Sequence, residues 1–144
     1  MVDRAKRDSA RDVLRDFIDC KLTNDEFFVQ FPRSEDDSAL RGISSRVWML
    51  YSDLHRHKLN GKHEPNTETR AMLDRCVLFL DSDLEFEWPV LRIGLVNVLS
   101  KLKTRAKQVM GLSPHSEEVR AGSKVGDEMV WPFFRRSDYK GRGI

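Results

Sequence analysis

Apolar residues recur at three- and four-residue intervals along most of this chain, with charged residues between them, which is the period of a helix buried on one face. Ala10, Val13, Leu14, Phe17 and Ile18 predict a first helix over about residues 4–20. Thr23 and Glu26 stand at capping-box spacing, and Leu22 and Phe27 occupy the positions of a hydrophobic staple. A second helix therefore starts at residue 23, and Pro32 keeps it short, presenting Phe27, Phe28 and Phe31 to the core. Ser34, followed by Glu35, Asp36 and Asp37, reads as an N-cap with acids in the first turn. The stripe Leu40, Ile43, Val47, Leu50 and Leu54, flanked by Trp48 and Tyr51, extends that third helix over about residues 35–57.

Residues 55–66, HRHKLNGKHEPN, carry the turn formers Asn60-Gly61 and Pro65-Asn66 and no apolar period, and so read as an exposed loop. Thr67 is placed to cap a fourth helix whose face is Met72, Leu73, Cys76, Val77 and Leu80. Leu78 and Phe79 make it apolar over much of its circumference, as expected of the most buried helix. Pro89 suits the first turn of a fifth helix over about 89–110, built on Leu91, Leu95, Val98, Leu99, Leu102, Ala106 and Val109 and stopped by Gly111. A strand over 90–98 is the rival reading, on account of Gly94 and the Val and Ile content. Ser113-Pro114 starts a short helical turn through Val119, broken by Gly122 and Gly126. The run Met129 to Phe134 is too aromatic to stand in water and is expected to dock back as an extended strap, while the last six residues fray. The predicted fold class is mainly α: a single compact bundle of about five helices over 1–111, with an irregular, basic C-terminal aromatic strap over 112–144.

Composition agrees with one folded domain. The chain has 144 residues, 40% hydrophobic and 33% charged, enough apolar content for a core without metal or disulfide staples. The N-terminus mixes acids and bases without a signal-peptide core, and the runs CVLFL and GLVNVL are too short to cross a bilayer, so a cytoplasmic protein without a membrane anchor is expected. Cys20 and Cys76 lack metal-ligand or CxxC spacing and read as buried free thiols. The net charge of +2 conceals an asymmetry: residues 1–100 hold 15 bases and 18 acids, whereas 101–144 hold 10 bases and 5 acids. Lys101, Lys103, Arg105 and Lys107 contribute to that basic end, which is modest beside dedicated nucleic-acid binders.

Chemistry has one clear candidate. In Asp81 to Trp88 the acids Asp81, Asp83, Glu85 and Glu87 alternate with Ser82, Leu84, Phe86 and Trp88, so an extended backbone puts carboxylates on one side and apolar groups on the other. Such a ridge suits a basic protein surface, oxygen ligation of a divalent cation, or acid and base catalysis; it also suits a plain solvated connection between helices. Neither a glycine-pivoted calcium loop nor a second acidic cluster at motif spacing supports the metal or catalytic reading. His55, His57 and His63, next to Glu64, lack ligand spacing and read as solvated loop histidines, with His115 isolated; no metal and no cofactor is expected. Trp131, Phe133 and Phe134 with Arg135 and Arg136 combine aromatic faces and guanidinium groups, which serve a docked strap first, and otherwise a protein interface or single-stranded nucleic acid. No nucleophile elbow, Walker loop or dinucleotide fingerprint occurs, which tilts the chain away from an enzyme.

At LYSDLHRHKL (50–59), CVLFLDSDLEFEWP (76–89) and VWPFFRRSDY (130–139) the chain resembles a family of small uncharacterised bacterial proteins, immunity-protein-like, from the neighbourhoods of toxin and immunity genes. That resemblance implies a stoichiometric inhibitor that covers a toxin's active site, and an acidic ridge suits a basic nuclease cleft. The expected function is thus a cytoplasmic protein–protein interaction module, possessing a partner with a basic surface and binding it through Asp81, Asp83, Glu85, Glu87, Trp88, Trp131, Arg135 and Arg136. The alternatives are a divalent-metal enzyme using the Asp81 to Glu87 carboxylates and a weak nucleic-acid binder using the basic C-terminal region.

Overall fold

Four capping devices set the helix boundaries. Asp3 accepts the Lys6 amide and opens α1, Arg4–Ile18. Thr23 and Glu26 form the complete predicted capping box at the head of α2, Asn24–Gln30. Asp37 accepts the Ala39 amide and opens α3, Ser38–Trp48. Asn66 accepts the Thr69 amide and opens α4, Thr67–Leu80. The structure is a computed structural model that describes residues 1–51, 55–89 and 126–140. Single 3-10 turns at Gly61–His63 and Glu128–Val130 and a short closing helix α5, Arg136–Lys140, complete the described elements, and no strand occurs among the described residues. The protein is therefore mainly α, and all described residues belong to one packed unit.

α1 packs against α4 and α2, and α3 against α4, as the apolar stripes require. Leu14, Phe17, Leu40, Ile43, Leu73 and Phe79 are fully buried at their meeting point. Phe17 stacks on Phe27 at 4.6 Å, and Phe27 tilts against Phe31 at 5.1 Å, so Phe27 of α2 and its C-cap Phe31 enter the core; Phe28 stays exposed. Val130, Trp131, Phe133 and Phe134 are buried against the helices, so the aromatic segment docks, through a 3-10 turn and a cis Trp131–Pro132 bond rather than a straight strand.

Several sequence expectations need correction. Ser34 is not the cap of α3; its hydroxyl accepts the Asp37 amide at 3.3 Å, and Asp37 caps because its carboxylate is also fixed by Arg7 from α1. Asn66, not Thr67, caps α4. α3 ends at Trp48 instead of near residue 57. The reason is tertiary: Asn24 exchanges backbone hydrogen bonds with His57 through its own amide and its side-chain oxygen, both at 2.9 Å, and draws the chain back across α2. Cys20 is only partly buried and adopts φ +58° beyond the end of α1, where Cys20 and Lys21 amides close a Schellman motif on Phe17 and Asp16 carbonyls. Cys76 is fully buried, and burial pushes its thiol well above the ordinary range. The predicted helix over 89–110, its strand rival, the turn at 113–119, Leu54 and His115 lie outside the described residues. No helix among the described residues is long and apolar enough to cross a membrane.

Candidate functional site

The ridge begins where α4 stops. The buried Ser82 donates from its hydroxyl to the Phe79 carbonyl at 2.6 Å and accepts the Leu84 amide at 3.3 Å, turning the chain out of the helix. Arg7, fully buried, donates to the Ser82 and Leu84 carbonyls at 2.9 and 2.8 Å. Arg4 donates to the Ser82 carbonyl at 3.0 Å and to the Leu80 carbonyl. Two guanidinium groups of α1 thus hold the root of the segment, and an extended run follows in which exposure alternates residue by residue from Asp81 to Pro89.

Its apolar side is anchored at two glycines. Phe86 meets Phe79 at 5.9 Å and Trp131 at 6.4 Å, lying so close to Gly42 of α3 that a β-carbon there would sit 2.6 Å from its ring. Trp88 meets Phe134 at 5.5 Å, donates its indole N–H to the Phe133 carbonyl at 3.2 Å, and lies over Gly126 with similarly little space. Only a residue without a side chain permits either approach.

The carboxylate side carries partners from within the chain. Asp81 pairs with Arg11 at 2.8 Å and Arg15 at 3.3 Å, Asp83 with Arg4 at 3.4 Å, Glu85 with the N-terminal ammonium at 3.4 Å, and Glu87 with Arg135 at 3.2 Å. Asp81 and Glu87 are half-covered, whereas the side chains of Asp83 and Glu85 are 84% and 65% exposed. Exposed pairs of this kind contribute at most about 1 kcal/mol, so Asp83 and Glu85 remain open to an outside cation. The hydrogen bond from Arg136 at 2.5 Å holds Asp127 below the usual carboxylate range.

Of the remaining predicted residues, Trp131 lies inside the fold rather than on its surface. Arg46 covers its ring at 5.3 Å, Arg75 donates to its carbonyl at 3.0 Å, and only 7% of it is exposed, because its ring fills the space beside Phe86. Arg135 and Arg136 are exposed beside Glu87 and Asp127. Sequence reasoning overlooked the residues that hold the ridge. Arg4, Arg7, Arg11 and Arg15 recur at intervals of three and four along α1, and this helical spacing was a legible sign of one cationic face.

The histidine loop also differs from its expected solvated form. His57 is buried, its Nδ1 lies 2.8 Å from the His55 carbonyl, and its ring stacks on His63 at 3.8 Å beside a cavity of about 270 Å³. A carbonyl only accepts, so Nδ1 carries the proton and Nε2 is a lone-pair acceptor in the neutral ring; among the described residues nothing bonds to it. Burial, then the neighbouring His57 and Lys62, push His63 below the ordinary imidazole range. No group of three or more His, Cys, Asp or Glu among the described residues converges as a metal site.

Comparison with protein-family models, curated proteins and solved structures yields no match.

Proposed function

We propose that this protein is a protein-binding module of the immunity type, which covers a basic toxin or nuclease surface with the ridge of residues 81–89. The observation supporting this reading is the outward display of Asp83 and Glu85 by a backbone locked from beneath through Arg7, Phe86 and Trp88. A ridge held in that way loses little conformational entropy on binding, and its carboxylates exchange weak exposed internal pairs for a cationic partner. Charge of this kind speeds association and fixes orientation. Arg135 and Arg136 border the same face with their own acids, so the interface is an acidic centre beside a mixed rim.

The test is capture of the product of the adjacent reading frame by the tagged protein, followed by titration of the purified pair. Asp83→Ala with Glu85→Ala is expected to weaken the complex at least tenfold, chiefly through the association rate, while melting temperature and helical spectrum stay constant. Unchanged affinity for the double variant would remove the ridge from the interface.

A further inference from the structure

On a different part of the surface, α2 and the end of α3 leave large apolar side chains in water. Phe28, Val29, Trp48, Met49 and Leu50 are all exposed, Val29 to 81% and Met49 to 74%. Phe28, Val29, Trp48 and Tyr51, with Asn24 and Asp25, line a concavity of about 420 Å³. Phe28, Val29 and Trp48 expose their side chains around this concavity, whereas Leu50 lines the cavity beside His57 and His63; contiguous apolar surface left in water on a monomer marks an interaction site. Val29 belongs to the lining of this concavity, and the exposed Met49 follows Trp48 in the chain.

The charges bordering this patch are arranged in a particular way. Asp25 lines the groove at the head of α2, and Arg33 lies over the Phe28 ring at 5.0 Å beyond its end. Val29 is midway between them, four residues from each. Among the described residues neither Asp25 nor Arg33 has an ion-pair partner, unlike the acids of the ridge. With a two-fold axis near Val29, α2 would run antiparallel to its symmetry mate, which would bring Asp25 of each copy toward the Arg33 that follows α2 in the other. Isologous interfaces need this self-complementarity of one patch with itself.

We infer that the α2–α3 patch is a homodimer interface, occupied by the same patch of a second copy of this chain. The apolar area per copy falls short of the roughly 800 Å² of a standard stable interface, so the dimer is a weak one whose population depends on concentration. This inference stands independently of the ridge, which lies on other elements and remains available to its own partner.

Sedimentation velocity of the full chain, from low micromolar to several hundred micromolar concentration, is the test. The unaltered protein is expected to pass from monomer to dimer, and Val29→Glu to remain monomeric with an unchanged melting curve, since the residue is exposed. Asp25→Arg and Arg33→Asp, each alone, place like charges opposite one another at two symmetric positions and should weaken the dimer by about tenfold; the two together restore opposite charges and should recover it. That recovery is expected only if the patch meets itself. A monomer at every concentration would overturn the inference, as would a dimer indifferent to both Val29→Glu and the charge exchange.

Discussion

Arg7→Ala removes four hydrogen bonds made from a fully buried guanidinium: two to the Asp37 carboxylate, at 2.7 and 3.0 Å, and one each to the Ser82 and Leu84 carbonyls. What remains is a carboxylate with almost no solvent contact, holding, among the described residues, just the Asp3 and Ala39 amides at 3.0 and 3.1 Å. Breaking a buried ion pair from one side costs about 3–5 kcal/mol. The vacated space lets water reach the two carbonyls, so they add little, and the expected loss is about 4 kcal/mol against a total of roughly 5–15 kcal/mol for a typical domain. Arg7→Lys keeps the charge but loses the fork geometry, and should cost about half as much.

Neutralising Asp37 should rescue the loss of Arg7. Arg7→Met with Asp37→Asn replaces the orphaned charge by a neutral amide that still caps α3, so the pair should be more stable than Arg7→Met alone by about 2 kcal/mol. Acid should act likewise. Burial pushes Asp37 up, but hydrogen bonds from Arg7 and from the Asp3 and Ala39 amides bring it net below the usual carboxylate range. Its folded pKa being depressed, its contribution is complete above the unfolded carboxylate value and disappears as pH falls through the folded one. Without Arg7 the lowering partner is gone, and the gap between variant and unaltered protein should narrow on acidification. Urea unfolding followed by far-UV circular dichroism measures all of these. An Arg7→Ala variant within about 1 kcal/mol of the unaltered protein, or a double variant no better than the single one, would show that the Arg7–Asp37 pair does not hold α1 to α3.

Two further predictions concern packing and pH. Gly42→Ala gains about 1 kcal/mol of helix propensity but drives a methyl into the Phe86 ring, and should be net destabilising by about 1 kcal/mol; in a Phe86→Leu background the same change should become stabilising, and thermal melts of the four proteins decide it. For His63 the folded pKa is depressed, so its stability contribution is complete above the ordinary imidazole value and fades as pH falls from about 6.5 through the folded value. NMR titration should find it below that of an unstructured histidine and, in His57→Phe, partly returned toward it; titration at the unstructured value in the unaltered protein would dismiss the coupling.

Local signals written within one turn of chain were readable in advance. The capping box at Thr23 and Glu26, the apolar face of α4 and the alternation from Asp81 to Trp88 all depend on residues a few positions apart, and backbone geometry converts such spacing directly into faces and caps. The alternation even identified which ridge side chains point inward. Decisions between elements distant in sequence could not be read in the same way. Asp37 displaced Ser34 as cap because Arg7, thirty residues earlier, fixed its carboxylate; α3 stopped at Trp48 because Asn24 captured His57. Whether the ridge acids are free or paired, and whether Trp131 is a contact or a support, depended on Arg4, Arg11, Arg15, Arg46 and Arg135 arriving from other elements. A sequence specifies which groups need partners, through burial and charge; only the folded chain brings particular partners within hydrogen-bonding distance, and that proximity determines which surface is left for another molecule.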